Sequence, residues 1–369
     1  MEQFPTDKLS DLPIYYILGI GRSGTTLLSS LLNMHPQVWA TPEILFLSFF
    51  YHSINSQANW KEQISPLIKR YFDDIPPLES LGWSFDKQAL EKLLDQTDPR
   101  LPSIDFFKQL YLLFKPIEVP KQIENINLIL DKNPSYTLQW HRLAVIDPKN
   151  EPRFIAMVRD YRANILSRKQ SPDRRLPNTV LDAYRWLFYN RRIWRALSHQ
   201  KHQKYFLLIS YEKLVADAET TLKKTCAFIG IDYADDLFNF HKREENIYQK
   251  HAQNPPFQKE RYDKKQQDLS RPINASRVEA WRTELSLDDR MIAEYICGKL
   301  GKKFGYETTL SIGFWQRIRL FFVTFIPFLK AFYDICKDDI LFYVSPKIKL
   351  KRLDAIKKEE RKKTSPPSS

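Results

Sequence analysis

Apolar, β-rich runs recur at Ile14 to Ile20, Ile126 to Leu130, Arg153 to Val158 and Tyr205 to Ile209, each followed by a segment with helical spacing. Short continuous apolar runs alternating with helices predict a parallel sheet with crossover helices, that is, a three-layer α/β/α domain around a central, mostly parallel sheet. Between the first two runs, at about 45–124, amphipathic patterns are broken by Pro76-Pro77 and Asp98-Pro99, which predicts a mainly helical insertion. Glu244 to Arg277 is polar, weakly periodic and contains Pro255-Pro256, so it reads as a long loop or flap. Ala280 to Lys303 reads as helix, with Ser286 and Asp288 available as caps and Gly301 near its end.

The last part of the chain differs. Phe314 to Tyr343 mixes Phe, Ile, Leu and Trp315 with Arg317, Arg319 and Lys330, and a basic tail follows. Its longest apolar run, Leu320 to Leu329, is too short to span a bilayer and contains Pro327. Two readings stay open: an amphipathic anchor lying on an anionic membrane surface, or a helix packed on the domain with a solvated basic tail. The expected organisation is a main domain over 1–308, carrying the helical insertion, and an amphipathic helical region with basic tail over 309–369.

Composition changes this picture only in places. The 24 Phe, 18 Tyr and 8 Trp within 369 residues supply a substantial core and argue against disorder. Of the net charge of +13, nearly half lies in Lys347 to Lys363, where nine basic residues stand against three acidic ones. The remainder suits a polyanionic ligand. Spaced zinc ligands, an RNA-recognition signature and a basic heptad helix are all missing from the sequence, so nucleic acid is not the expected partner. Cys226, Cys297 and Cys336 are few and scattered, fitting a reducing compartment better than a disulfide framework. The first residues, MEQFPTDKLSDLP, lack a basic stretch followed by an apolar one, so neither signal peptide nor membrane anchor is expected there. A cytoplasmic, possible peripheral-membrane protein is the resulting expectation, and Asn274-Ala275-Ser276 is not expected to be glycosylated.

The segment with the most chemistry is Tyr15 to Leu28, an apolar strand running into Gly19-Ile20-Gly21-Arg22-Ser23-Gly24-Thr25-Thr26 and then a leucine helix. Such a loop can cradle phosphate: glycines let the backbone wrap an anion, successive amides point inward, and the helix N-terminus adds favourable partial charge. Thr25 and Thr26 add hydroxyl donors. An ATP- or GTP-binding loop would place lysine where Thr25 stands, with a magnesium-holding hydroxyl after it. Here the cation is Arg22, ahead of the second glycine, which counts against a magnesium-dependent kinase or NTPase.

Arg22-Ser23-Gly24-Thr25-Thr26, the leucine helix and His35-Pro36 together resemble the 5′-phosphosulfate loop of the P-loop sulfotransferases that use 3′-phosphoadenosine 5′-phosphosulfate (PAPS), in the tyrosylprotein and carbohydrate branch. The resemblance implies a P-loop-like nucleotide-binding fold and PAPS as co-substrate. Gly21, Arg22, Ser23, Gly24, Thr25 and Thr26 would then hold the 5′-phosphosulfate. Arg159 and Ser167, eight positions apart after the strand Phe154 to Val158, resemble the arginine and serine of the 3′-phosphate site. Tyr161 stands where relatives often carry proline. Leu207 to Leu214, with Phe228-Ile229-Gly230 after it, resembles the family's strand and Tyr-Glu-x-Leu turn, which puts Tyr211 near the adenine. Ser276, Arg277, Trp281 and Arg282 resemble the late segment that closes over the nucleotide, with Arg277 the cofactor contact.

Sulfuryl transfer needs cations facing the leaving group and a base for the acceptor proton. Arg22 is one cation, and Lys132 of Asp131-Lys132-Asn133-Pro134 resembles the family's second. Glu43 follows His35-Pro36 at the spacing of a catalytic glutamate in these branches. Thr41-Pro42-Glu43 equally has the form of a helix start, with N-cap, proline and first-turn acid. No metal-ligand cluster is legible. The expected reaction is transfer to a hydroxyl on a glycan, a lipid, a tyrosyl peptide or a small alcohol, releasing adenosine 3′,5′-bisphosphate. An ATP-dependent kinase on the same fold and a non-catalytic nucleotide-binding adaptor at a membrane surface are the competing readings.

Overall fold

The computed structural model describes residues 6–55, 60–73, 78, 82–119, 121–171, 178–251 and 269–364. Pro76-Pro77, Pro255-Pro256 and most of the flap expected over Glu244 to Arg277 lie outside these residues.

Strands β1 (Ile14–Gly19), β5 (Leu128–Lys132) and β6 (Phe154–Val158) are buried along their whole length. Strands covered on both faces carry continuous apolar runs, which is why these segments lack strict alternation. With β2 (Val38–Ala40) and β7 (Phe206–Ser210) they form a five-stranded sheet in the order β2-β5-β1-β6-β7. All four pairings are parallel, with Ile17 opposite Lys132, Gly19 opposite Met157 and Val158 opposite Ser210. At the edge, β7 leaves Leu208 exposed. The sheet is thus the α/β, mostly parallel one expected from the sequence.

Numbering only helices of eight residues or more, α1 (Thr25–Asn33) follows the phosphate loop. The insertion holds α2 (Phe46–Asn55), α3 (Trp60–Asp73), α4 (Lys87–Gln96) and α5 (Ser103–Leu112). It also holds an antiparallel pair, β3 (Trp83–Phe85) with β4 (Phe114–Pro116), that the helical pattern did not announce. Three-residue strands carry too little alternation to register as such. Their aromatic rings join a stack in which Phe85 lies 4.9 Å from Phe72 and 4.7 Å from Phe114.

Helices α6 (Tyr161–Lys169) and α7 (Thr179–Leu197) cover the other side of β1 and β6. α8 (Ala218–Ile229) ends at Gly230 with a left-handed C-cap. α9 (Phe240–His251) corrects the expected loop over its first residues: Glu244 to His251 are helical. α10 (Leu287–Gly301) is capped by Ser286, whose hydroxyl accepts from Asp289 N at 3.2 Å. The stretch read as one helix from Ala280 is in fact broken, with a single turn at Trp281–Glu284 before the cap.

A second apolar cluster, centred on the fully buried Trp186 and Trp281, fastens α6 to α7 and α10. Within it Arg162 lies 3.8 Å above the Trp281 ring and pairs with Asp160 at 2.7 Å and Glu294 at 3.0 Å. Tyr161 is fully buried against Trp186, and a Cβ at Gly301 would come within 2.6 Å of its ring. That tight fit leaves no room for a side chain at Gly301.

The C-terminal region adds α11 (Phe314–Leu341), which continues through Pro327, and α12 (Pro346–Thr364). α11 rests on α7 through a narrow stripe of buried Leu320, Thr324 and Ala331, with Tyr184 donating to Thr324 Oγ1 at 3.2 Å. Arg142 pairs with Asp339 at 3.3 Å and lies 4.2 Å above the Tyr343 ring. The start of α12 is docked and not a solvated tail: Lys349 and Leu350 are buried, Lys349 donates to Ser48 O and Phe49 O, and Arg70 pairs with Asp354.

Candidate active site

Every strand of the large sheet delivers a candidate residue at its C-terminal end. β2 leads to Glu43, β5 ends on Lys132, β1 runs into the phosphate loop, β6 is followed by Arg159 and β7 by Tyr211. Such an edge, beside the point where strand order reverses, is where open parallel sheets bind ligands.

The loop is held from behind. Thr137 Oγ1 accepts from Gly19 N at 2.7 Å and donates to Gly19 O at 3.2 Å. From α6, Asn164 donates to Gly21 O and Ser23 Oγ, and Arg168 donates to Gly21 O. With its carbonyls engaged on that side, the loop is free to present amides on the other. Gly24 caps α1 at φ +88°, and a Cβ there would meet the Tyr211 ring at 2.7 Å. Both conditions require glycine.

Arg22 also adopts a left-handed backbone, φ 72°, uncommon for a residue with a Cβ and a form of strain that tends to gather at functional sites. Its Nε donates to Ser167 Oγ at 3.0 Å, joining the loop to α6. Arg159, 6% exposed, donates to Arg22 O and to Arg277 O at 3.1 Å each, and its guanidinium lies 4.2 Å above the Tyr211 ring. Its backbone is fixed by Trp186, whose Nε1 donates to Arg159 O. Arg159 Nε is buried with no partner among the described residues, the condition of a donor that a ligand would complete. Arg22, Gly24, Thr25, Thr26, Arg159, Ser167 and Tyr211 line one small cavity, and Ser23 is buried beside them. Arg277 stands apart in one respect: its carbonyl holds Arg159, while its side chain pairs with Glu284 and Gln170.

A second cavity, of about 530 Å³, opens on the other side of the loop. Gly21 borders this one and Arg22 the first, so the loop divides them. Glu43 lines it, and the Lys132 ammonium, nearly buried, pairs with the Glu43 carboxylate. The residues read as a possible helix start at Thr41-Pro42-Glu43 lie instead in a loop, because α2 begins only at Phe46. The remaining walls come from α6, α7 and α11, through Arg168, Arg185, Asp334 and Asp338.

A family model described as the sulfotransferase family matches residues 13–235. The chain belongs to that family. Among similar proteins, this sulfotransferase-family chain is 24% identical over 304 residues to protein-tyrosine sulfotransferase 1 of Danio rerio, covering 80% of this chain and 73% of that one. It is also 24% identical over 323 residues to nodulation protein NoeE of Sinorhizobium fredii, covering 82% and 68%. Among solved structures, the sulfotransferase domain from the Synechococcus PCC 7002 olefin synthase is 22% identical, with TM-score 0.47 over 84% of this chain and all 100% of that one. The corresponding domain from the curacin biosynthetic pathway is 18% identical, with the same TM-score of 0.47 over 81% and 99%.

Several residues of this candidate site were not singled out from sequence. Asn164 and Arg168 share a helix face with Ser167, and the i, i+3, i+4 spacing could have shown it. Thr137 and the α11 acids carry no such local signal. Among the described residues no group of three His, Cys, Asp or Glu side chains is placed to hold a metal ion.

Behind Lys132, Asp131 is fully buried and accepts from the Tyr111 hydroxyl. Burial raises its carboxyl to about 7, with the Tyr111 hydrogen bond and Lys132 pulling the other way. An acid whose folded pKa lies above its unfolded value of about 4 binds its proton more tightly when folded, so its contribution is full below pH 4 and is lost as pH rises through 7. Asp131→Asn is therefore expected to lose less stability between pH 5 and pH 8 than the unaltered protein in urea titrations. An equally steep fall in the variant would mean that Asp131 is not its source.

Proposed function

We propose that this sulfotransferase moves the sulfuryl group of PAPS to a hydroxyl acceptor, with the nucleotide in the Arg22–Arg159 cavity and the acceptor in the Glu43 cavity. The observation that carries the reading is Arg159, a buried arginine whose Nε has no partner among the described residues, bonded to Arg22 O and sharing one cavity with Arg22 and Ser167, where a second phosphate would distinguish PAPS from ATP. When bound, PAPS supplies an activated sulfuryl group on a phosphate leaving group. Arg159 and Ser167 hold the 3′-phosphate, the loop amides with Ser23, Thr25 and Thr26 hold the 5′ end, and Tyr211 flanks the nucleoside. Arg277 contributes through its carbonyl grip on Arg159.

On the acceptor side, Glu43 takes the hydroxyl proton as the nucleophile attacks in line, and Lys132 and Arg22 offset charge gathering on the departing phosphate oxygen. The Lys132–Glu43 pair holds the Glu43 carboxylate in place until an acceptor hydroxyl enters. No metal has a part in this scheme. Residues 1–308 would form the catalytic unit and 309–369 its helical extension.

We also infer that the protein works at an anionic membrane surface, as a peripheral and not a spanning protein. No helix among the described residues is long and apolar enough to cross a membrane. α11 nevertheless exposes Trp315 at 78%, Phe322 at 71% and Ile326 at 76%, among cations Arg317, Arg319 and Lys330. Aromatic and aliphatic side chains beside Lys and Arg on one helix suit the boundary between headgroups and acyl chains.

Calorimetric titration without magnesium is expected to show adenosine 3′,5′-bisphosphate binding more tightly than ADP, with Arg159→Ala losing about 10- to 100-fold of that preference. Equal binding, or ADP binding that needs magnesium, would overturn the PAPS assignment. Glu43→Gln should lower kcat by about 10²- to 10⁴-fold while the bisphosphate Kd stays within about threefold. Co-sedimentation with phosphatidylglycerol-containing vesicles should exceed that with phosphatidylcholine alone, and Ile326→Glu should weaken it by about tenfold or more. Binding that ignores both changes would exclude α11 as the contact.

A further inference from the structure

A third cavity, of about 400 Å³, lies against the second, and the two share Leu45, Ser135, Lys337 and Asp338 in their walls. Its volume falls in the range of roughly 300–1,000 Å³ usual for ligand clefts. Phe49 from α2, Leu341 and Phe342 at the end of α11, and Leu353 from α12 give it a hydrocarbon and aromatic wall, with Ser48 and Arg352 also on its lining. Lys349, though part of the wall, is committed to Ser48 O and Phe49 O at 2.9 and 2.8 Å. The groove exists only because α12 is docked onto α2, so it is built by the same C-terminal region that closes the Glu43 cavity.

The two cavities differ in chemistry. Around Glu43 the charged walls balance, with Glu43, Asp334 and Asp338 against Arg168, Arg185 and Lys337. Arg185 is already within 3.6 Å of Asp334, and Arg168 is bonded to the loop at Gly21. A balanced set of donors and acceptors suits a neutral hydroxylated group better than an anion, which would need surplus cations. The Phe49, Leu341, Phe342 and Leu353 side chains of the groove suit a hydrocarbon chain. An extended peptide would bring a donor and an acceptor per residue against Leu and Phe side chains and leave them unpaired, which is costly.

We infer that the acceptor is an amphiphile, with a neutral hydroxylated head in the Glu43 cavity and a single hydrocarbon chain in the groove between α2, α11 and α12. This rests on the sulfotransfer reading above. The hydroxyl oxygen bonds to sulfur as the sulfur–oxygen bond to the nucleotide phosphate breaks, and the hydroxyl proton passes to Glu43. The product carries a charged head on the same chain.

The test uses the full chain with adenosine 3′,5′-bisphosphate present and methyl, hexyl and decyl β-glucosides as probes, each below its critical micelle concentration. Calorimetry measures binding, and sulfate transfer from labelled PAPS is measured in parallel. Affinity should rise with chain length, by at least about 100-fold from methyl to decyl, since each buried methylene contributes a factor of several. Leu353→Glu and Leu341→Gln should remove most of that rise while leaving the bisphosphate Kd unchanged, which also reports that both variants are folded. Ile326→Glu, which addresses vesicle binding, should leave decyl glucoside binding as it was. Normal bisphosphate binding with no dependence on chain length, or a dependence that both groove variants keep, would overturn the amphiphile inference and leave sulfotransfer standing. Loss of bisphosphate selectivity in the unaltered protein would overturn both.

Discussion

Parallel strand alignment is the constraint on which the rest of this protein depends. Five strands running the same way put five C-terminal ends along one edge, and each end here carries a different chemical part: Glu43, Lys132, the phosphate loop, Arg159 and Tyr211. Parallel strands need crossover helices, and those helices then hold what the strands present. α6 supplies Asn164, Ser167 and Arg168 to the loop, and α7 supplies Trp186 to Arg159. Backbone register thus sets the spacing between groups that are far apart in sequence.

The phosphate loop and the residues proposed for the nucleotide stood out in the sequence because their signals are local. Gly19 to Thr26 is one continuous loop whose glycines answer to backbone geometry, and Arg159 to Ser167 spans a strand end and two helical turns. The proposed acceptor side did not, because its walls come from the segments before α2 and after β5 and from α6, α7 and α11, and nothing in any one of these segments says which others it will meet. Thr41-Pro42-Glu43 shows the same limit at small scale. Its residues satisfy the chemistry of a helix start, yet packing delays the helix to Phe46 and leaves Glu43 in the cleft beside Lys132. Tertiary context overrode a sound local preference.

The C-terminal region resolves differently from either reading open at the sequence level. α11 is packed on α7 and still exposes a wide apolar face, and the first turns of the basic tail are docked onto α2 and α3. Packing and surface activity are compatible because the buried stripe of Leu320, Thr324 and Ala331 is narrow. One helix can therefore serve as cavity wall and as outer surface together, so that orientation on a bilayer would also orient the cleft.

The unpaired Nε of Arg159 has a thermodynamic corollary. On the proposed reading the 3′-phosphate that completes it belongs equally to the donor and to the spent nucleotide, so this grip cannot tell one from the other. The stabilisation gained there is retained after transfer and raises the barrier to letting the bisphosphate go. Turnover would then be governed by nucleotide exchange, and the enzyme would respond in the cell to the ratio of charged to discharged carrier and not to the amount of donor alone.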